Sequence, residues 1–145
     1  MTHIGSIVAA LVLVTGLVTQ GTNKTTKAAG LQGTWTVTSL NGQSATEGSP
    51  ELTLTFTGDK YQQAVGGKVN ERGTFKVDGS KKPMTIDFAI TEGDDAGKTQ
   101  LGIVEVSGDT VRMAAGAPAA AQRPTDFAVK DGALVVVGKR RASSD

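Results

Sequence analysis

After residue 30 the chain alternates apolar and polar positions almost one by one. Trp35 and Val37 share one parity while Thr34, Thr36 and Thr38 share the other, and Leu52, Leu54 and Phe56 alternate with Thr53, Thr55 and Thr57. The cleanest run sets Met84, Ile86, Phe88 and Ile90 against Thr85, Asp87, Ala89 and Thr91. A period of two is the signature of a strand with one buried face. Shorter runs repeat it at Tyr61 and Gln63, Phe75 and Val77, Leu101 and Ile103, Val111 and Met113, and from Leu134 onward. Gly58-Asp59, Gly66-Gly67, Asp78-Gly79, Gly108-Asp109 and Asp131-Gly132 punctuate them as turns. Residues 41–51 read as a long loop, Gly102 as a bend or bulge, residues 114–123 as a loop or single helical turn, and Phe127 with Val129 as the start of a last hairpin. No segment sustains a helical period. Short alternating segments joined by regularly spaced turns predict an all-β fold, a small antiparallel up-and-down barrel of about eight strands.

Residues 4–18 are a nearly unbroken apolar run followed by a polar stretch. The run is short of the roughly 20 residues a spanning helix needs, and it resembles the core of a secretory signal, although no Lys or Arg precedes it. The expected organisation is a signal peptide or N-terminal anchor over residues 1–21, a flexible tether over 22–30, a barrel domain over 31–141 and a tail over 142–145. Export to a periplasmic or extracellular location follows, with tethering by an uncleaved leader as the alternative. No Cys follows the run, which excludes a lipid-anchored lipoprotein.

Composition narrows the chemistry. A net charge of +1 at pH 7 supplies no field for nucleic acid. With no cysteine there are no disulfides, thiolate nucleophiles or Cys-zinc sites, so packing must supply the stability. The one histidine, His3, lies in the expected leader, which leaves the domain without an imidazole base or ligand. Glu92, Asp94 and Asp95 share a turn but fall short of the spaced ligand set of a calcium loop. The expectation is a non-enzymatic domain without catalytic residues, cofactor or metal. Outward positions are mostly Thr, Lys, Asp and Gln, which excludes a lipid-facing barrel.

Trp35, Phe56, Tyr61, Phe75, Phe88 and Phe127 each fall on the apolar face of a different expected strand. They read either as the lining of a ligand cavity or as the core itself; bulky residues in nearly every inward slot favour a filled interior. Arg140 shares parity with Leu134 and Val136, so it either covers the Trp35 indole from the barrel end or belongs to a solvated basic terminus. Arg123-Pro124-Thr125-Asp126-Phe127 is the most distinctive polar string. It reads either as an exposed partner loop carrying Arg123, Pro124 and Asp126, or as a strand entry in which Arg123 pairs with Asp126.

A group of motifs carries a family resemblance: Leu31-Gln32-Gly33-Thr34-Trp35, Leu-Thr-Leu-Thr-Phe-Thr-Gly-Asp-Lys-Tyr over 52–61, Gly73-Thr74-Phe75, Lys-Lys-Pro-Met-Thr-Ile-Asp over 81–87, Thr91-Glu92-Gly93, Leu101-Gly102-Ile103, Gly108-Asp109-Thr110 and the string 123–127. In this order they resemble a domain of unassigned function abundant in planctomycetes and related bacteria, over residues 31–141. That family is similar in character to lipocalin-like barrels. The resemblance implies that Gly33 and Trp35 form the Gly-X-Trp opening and Arg140 the closing basic partner. Avidin-like barrels and bacterial metalloprotease inhibitors open similarly, but a single Trp and the absence of Cys set this chain apart from both. It departs from the family pattern at the Ala-rich residues 113–121 and at Val104, where an aromatic is usual. The resemblance supplies no catalytic residues. The expectation taken from the sequence as a whole is an exported, monomeric barrel that binds a small apolar ligand or an envelope protein. The alternative is a protein-binding or protease-inhibitor-like module with a filled core and no ligand cavity.

Overall fold

The computed structural model describes residues 30–142. The expected leader, residues 22–29 of the tether and residues 143–145 lie outside the described residues. The elements are β1 (Gly33–Leu40), β2 (Gln43–Ser44), β3 (Leu52–Thr57), β4 (Lys60–Val65), β5 (Lys68–Asp78), β6 (Met84–Glu92), β7 (Thr99–Ser107), β8 (Thr110–Gly116) and β9 (Ala133–Arg140). From β3 to β9 each strand pairs antiparallel with the next, and β1 pairs with both β3 and β9. Eight strands therefore close into an up-and-down barrel of the lipocalin-like kind, with β2 as an extra strand on β1. Among the described residues no helix is long and apolar enough to cross a membrane.

Register turns the alternation into an inside and an outside. Thr34 faces Thr55 and Trp35 faces Leu54, so hydroxyls pair outside, where Thr34 Oγ1 and Thr55 Oγ1 are 3.0 Å apart, and apolar groups meet inside. The core gathers Trp35, Phe56, Tyr61, Phe75 and Phe88 with Leu31, Ile86, Val104, Val111, Met113 and Val136. Phe56 meets Phe75 edge-on at 5.0 Å and Tyr61 meets Phe88 edge-on at 4.8 Å, the arrangement favoured by the ring quadrupoles.

Several local expectations change. Asn41-Gly42 forms a two-residue turn with φ of 49° and 81°, which folds β2 back on β1 inside what reads as a long loop. β5 begins at Lys68, well before Phe75. Ala114 to Gly116 belong to β8 and are buried. Phe127 and Val129 lie in no strand; β8 pairs with β9 directly, and residues 117–132 cross between them as a connection. Register runs unbroken through Gly102, and the irregularities fall at Val37/Ser39, Gln63/Ala64 and Arg72/Gly73. At the last of these, a Cβ on Gly73 would stand 2.1 Å from the Ala89 carbonyl oxygen, so only glycine lets β5 and β6 approach this closely.

In β7 the inward residues are Gly102 and Val104, while Ile103 points outward with Ala114 and Val135. This strand is apolar on both faces because residues 117–132 cover its outside, with Phe127 packed on Ile103, Ala114 and Val135. Parity cannot be read from a strand buried on both sides.

Candidate functional site

The barrel has two unlike ends. At the lower end, where β1 begins and β9 finishes, the Trp35 indole is fully buried and donates from Nε1 to Leu31 O at 2.8 Å. Arg140 lies over it with the guanidinium carbon 4.2 Å from the ring centroid. The same guanidinium donates to Gln32 O at 2.6 Å and Gly30 O at 2.7 Å, tying the incoming chain to the last strand. Gly33 makes room for it: its φ is 112°, and a Cβ would stand 3.4 Å from Arg140 Nη1. Gly33, Trp35 and Arg140 are thus brought together as a plug. Arg141 also pairs with Glu51 outside the barrel.

At the upper end the barrel is open. A narrow cavity of about 50 Å³ descends between the strands. Its deep part is lined by Val37, Leu54, Tyr61, Phe88, Met113 and Val136, and its rim by Leu40, Leu52, Gln63, Glu71, Gln100, Ala115 and Leu134. Leu40 and Leu134 are 38% and 37% exposed, a cost in water that an apolar contact would relieve. Beside the throat lies a shallower depression of about 390 Å³, which shares Gln63, Glu71, Gln100 and Leu134 and adds Asp95, Pro118 and Ala133.

The polar side chains of the rim are tied to the barrel. Tyr61 donates its phenol proton to Glu71 Oε1 at 2.9 Å. Burial, reinforced by that hydrogen bond and the Glu71 charge, raises the Tyr61 pKa far above its ordinary value. Gln100 Nε2 donates to Gly116 O at 2.8 Å, and Gln63 Nε2 to Asn70 Oδ1 at 3.3 Å.

Of the six aromatics singled out in the sequence, Trp35, Phe56, Tyr61, Phe75 and Phe88 converge in the core, and Tyr61 and Phe88 also line the throat. Phe127 does not join them. It sits on the outer face, capped by the Arg112 guanidinium at 4.2 Å. Arg123 is likewise engaged: Nη1 donates to Gly102 O at 2.8 Å and Ile86 O at 3.2 Å, and Nη2 is 2.7 Å from Asp87 Oδ1. That carboxylate oxygen has no directed hydrogen bond, so the ion pair is its main partner. The expected Arg123–Asp126 pair does not form. Asp126 instead takes Lys130 at 2.9 Å and the Ala128 amide at 3.1 Å, interactions that lower its pKa, and Pro124 packs near Gly116. The string 123–127 is thus a strap on β6 and β7.

The acidic turn is dispersed among cations. Glu92 pairs with Arg72 at 3.0 Å and Asp95 with Lys98 at 2.8 Å. Among the described residues no group of His, Cys, Asp and Glu could hold a metal ion.

Gln63, Glu71 and Gln100 are the rim residues that sequence reading passes over. Their signal is polar character at inward parity: Gln63 with Tyr61, Glu71 with Gly73 and Phe75, Gln100 with Gly102 and Val104. Compared with family models, curated proteins and solved structures, the chain matches none.

Proposed function

We propose that this protein is an exported, non-enzymatic binding barrel that takes the apolar end of a small ligand into the throat at its upper end. One observation carries the reading: the apolar interior is stoppered by Arg140 and Trp35 below and opens above through a rim bearing exposed Leu40 and Leu134. Volume sets the mode. Chambers that enclose a drug-sized molecule run to about 300–1,000 Å³, and a dry cavity that accepts benzene is about 150 Å³. The throat, at about 50 Å³, is too small for either. It suits a few methylenes of a ligand whose remainder lies in the 390 Å³ depression outside. The leader-like run of residues 4–18 supports export.

Titration of the ¹⁵N-labelled protein with 1-hexanol tests this, with binding expected near the millimolar range for so small a probe. Amide shifts should gather at Leu40, Gln100, Ala115 and Leu134 and leave Gly33 and the Trp35 indole unmoved. Ala115→Phe places a ring in the throat and should abolish the response. Shifts confined to the lower end, or none at all, would refute the proposal.

A further inference from the structure

The rim has a chemical bias that narrows the ligand class. Glu71 has no ion-pair partner among the described residues: one oxygen accepts the Tyr61 phenol, and the side chain lines both throat and depression. Nearby amides add acceptors. Gly116 O can only accept, so Gln100 must turn its nitrogen to it and leave its own carbonyl oxygen free; Gln63 and Asn70 form an amide pair in which either side chain can present its oxygen to the mouth. Among the described residues no lysine or arginine lines either space. Of the cations on the upper loops, Lys98 pairs with Asp95 and Lys130 with Asp126, while Lys68 in the β4–β5 turn lines neither space. A half-buried carboxylate with no cationic partner, beside an apolar throat, favours a cationic headgroup over a neutral or anionic one.

We propose that the ligand is a protonated primary amine carrying a short apolar tail, with Glu71 as its counter-ion. This rests on the reading of the mouth as the binding site. The tail enters between Leu40, Leu134 and Ala115, and the ammonium donates to Glu71 and to the amide oxygens that Gln100 and the Gln63–Asn70 pair present. An ammonium has three donors and no acceptor, the complement of this rim. A carboxylate headgroup would meet Glu71 as a like charge.

The experiment compares hexylamine, 1-hexanol and hexanoate, equal in tail and different in head, by calorimetric and NMR titration of the purified protein. Hexylamine should bind between about tenfold and a hundredfold tighter than 1-hexanol, the range for one charge-assisted hydrogen bond, and hexanoate weakest. Glu71→Gln keeps an acceptor for Tyr61 and removes the charge. It should erase the advantage of hexylamine over 1-hexanol. Equal binding of amine and alcohol, or tighter binding of hexanoate, overturns the amine inference and leaves the mouth reading standing. If no probe shifts the rim amides, both fall. Should Glu71→Gln not fold, the comparison of heads on the wild-type protein decides alone.

Discussion

Arg140→Met tests whether the lower end is held by a single side chain. The substitution keeps most of the apolar stem over Trp35 and deletes the guanidinium. What is lost is a cation–π contact at 4.2 Å, worth about 1 kcal/mol when partly desolvated, and the hydrogen bonds to Gln32 O and Gly30 O. Bonds from a charged donor contribute about 1.5–3 kcal/mol each when buried. Here the arginine side chain is 30% exposed and the freed carbonyls can turn to water, so about 1 kcal/mol each is the better figure. The Asp109 contact, at 3.6 Å to an 85% exposed carboxylate, adds little. The loss is therefore about 3 kcal/mol against a usual total of about 5–15. That lowers the thermal midpoint by about 10–15 °C for a domain of this size. The single Trp gives a local readout in the same melt. With residues 30–32 released, water reaches the indole and its emission should shift to the red before global unfolding. Arg140→Lys keeps charge but not the planar fork and should fall between the two. A melting point within about 2 °C of wild type, with unshifted emission, would refute the idea that Arg140 closes the barrel.

Gly73→Ala should cost more than about 2 kcal/mol in urea denaturation, because its methyl would meet the Ala89 carbonyl at 2.1 Å and Tyr61 Cε1 at 2.8 Å; an unchanged midpoint would show that β5 and β6 separate freely. Arg123→Ala should free residues 117–132 from Ile86, Gly102 and Asp87, seen as faster amide exchange in that connection and exposure of Ile103 and Ala114, while the exchange of β3 and β4 stays as it was. Tyr61 adds a pH dependence at the alkaline side. Below about pH 10 folded and unfolded chains both hold the phenol proton, and above it only the folded chain does, so stability falls by up to about 1.4 kcal/mol per pH unit. Tyr61 is the one tyrosine, so Tyr61→Phe should remove that part of the slope, and identical alkaline slopes in both proteins would contradict the part-buried Tyr61–Glu71 bond.

Much of the barrel was legible because alternation is a local record of burial. Trp35, Phe56, Tyr61, Phe75 and Phe88 point inward on the parity their neighbours indicate, and Arg140 follows Leu134 and Val136 to the end of the same face. Phe127 misled for a physical reason: an aromatic after a proline looks like a strand residue, yet here it packs on the outer face, where Ile103, Ala114 and Val135 form a second apolar surface. The same second surface hid the parity of β7. Asn41-Gly42 carried its hairpin signal in plain view, but the two residues of β2 are too few to show alternation. Glu71 was missed because Val69 is the one apolar residue among the first five of β5, too little of a hydrophobic period to align the start of the strand with Phe75 and Val77.

Taken alone, the amino-acid order determined that the chain forms strands, which side chains go inside those strands that are covered on one face only, and that bulky residues take most inward slots. Those are properties of an extended backbone with a period of two, and each is decided within a few residues. Only the tertiary structure decided that the ends differ, that Gln63, Glu71 and Gln100 share one rim, and that the void beneath them is about 50 Å³. These depend on the register between strands and on how side chains from all eight add up across the axis, and no local pattern encodes that sum.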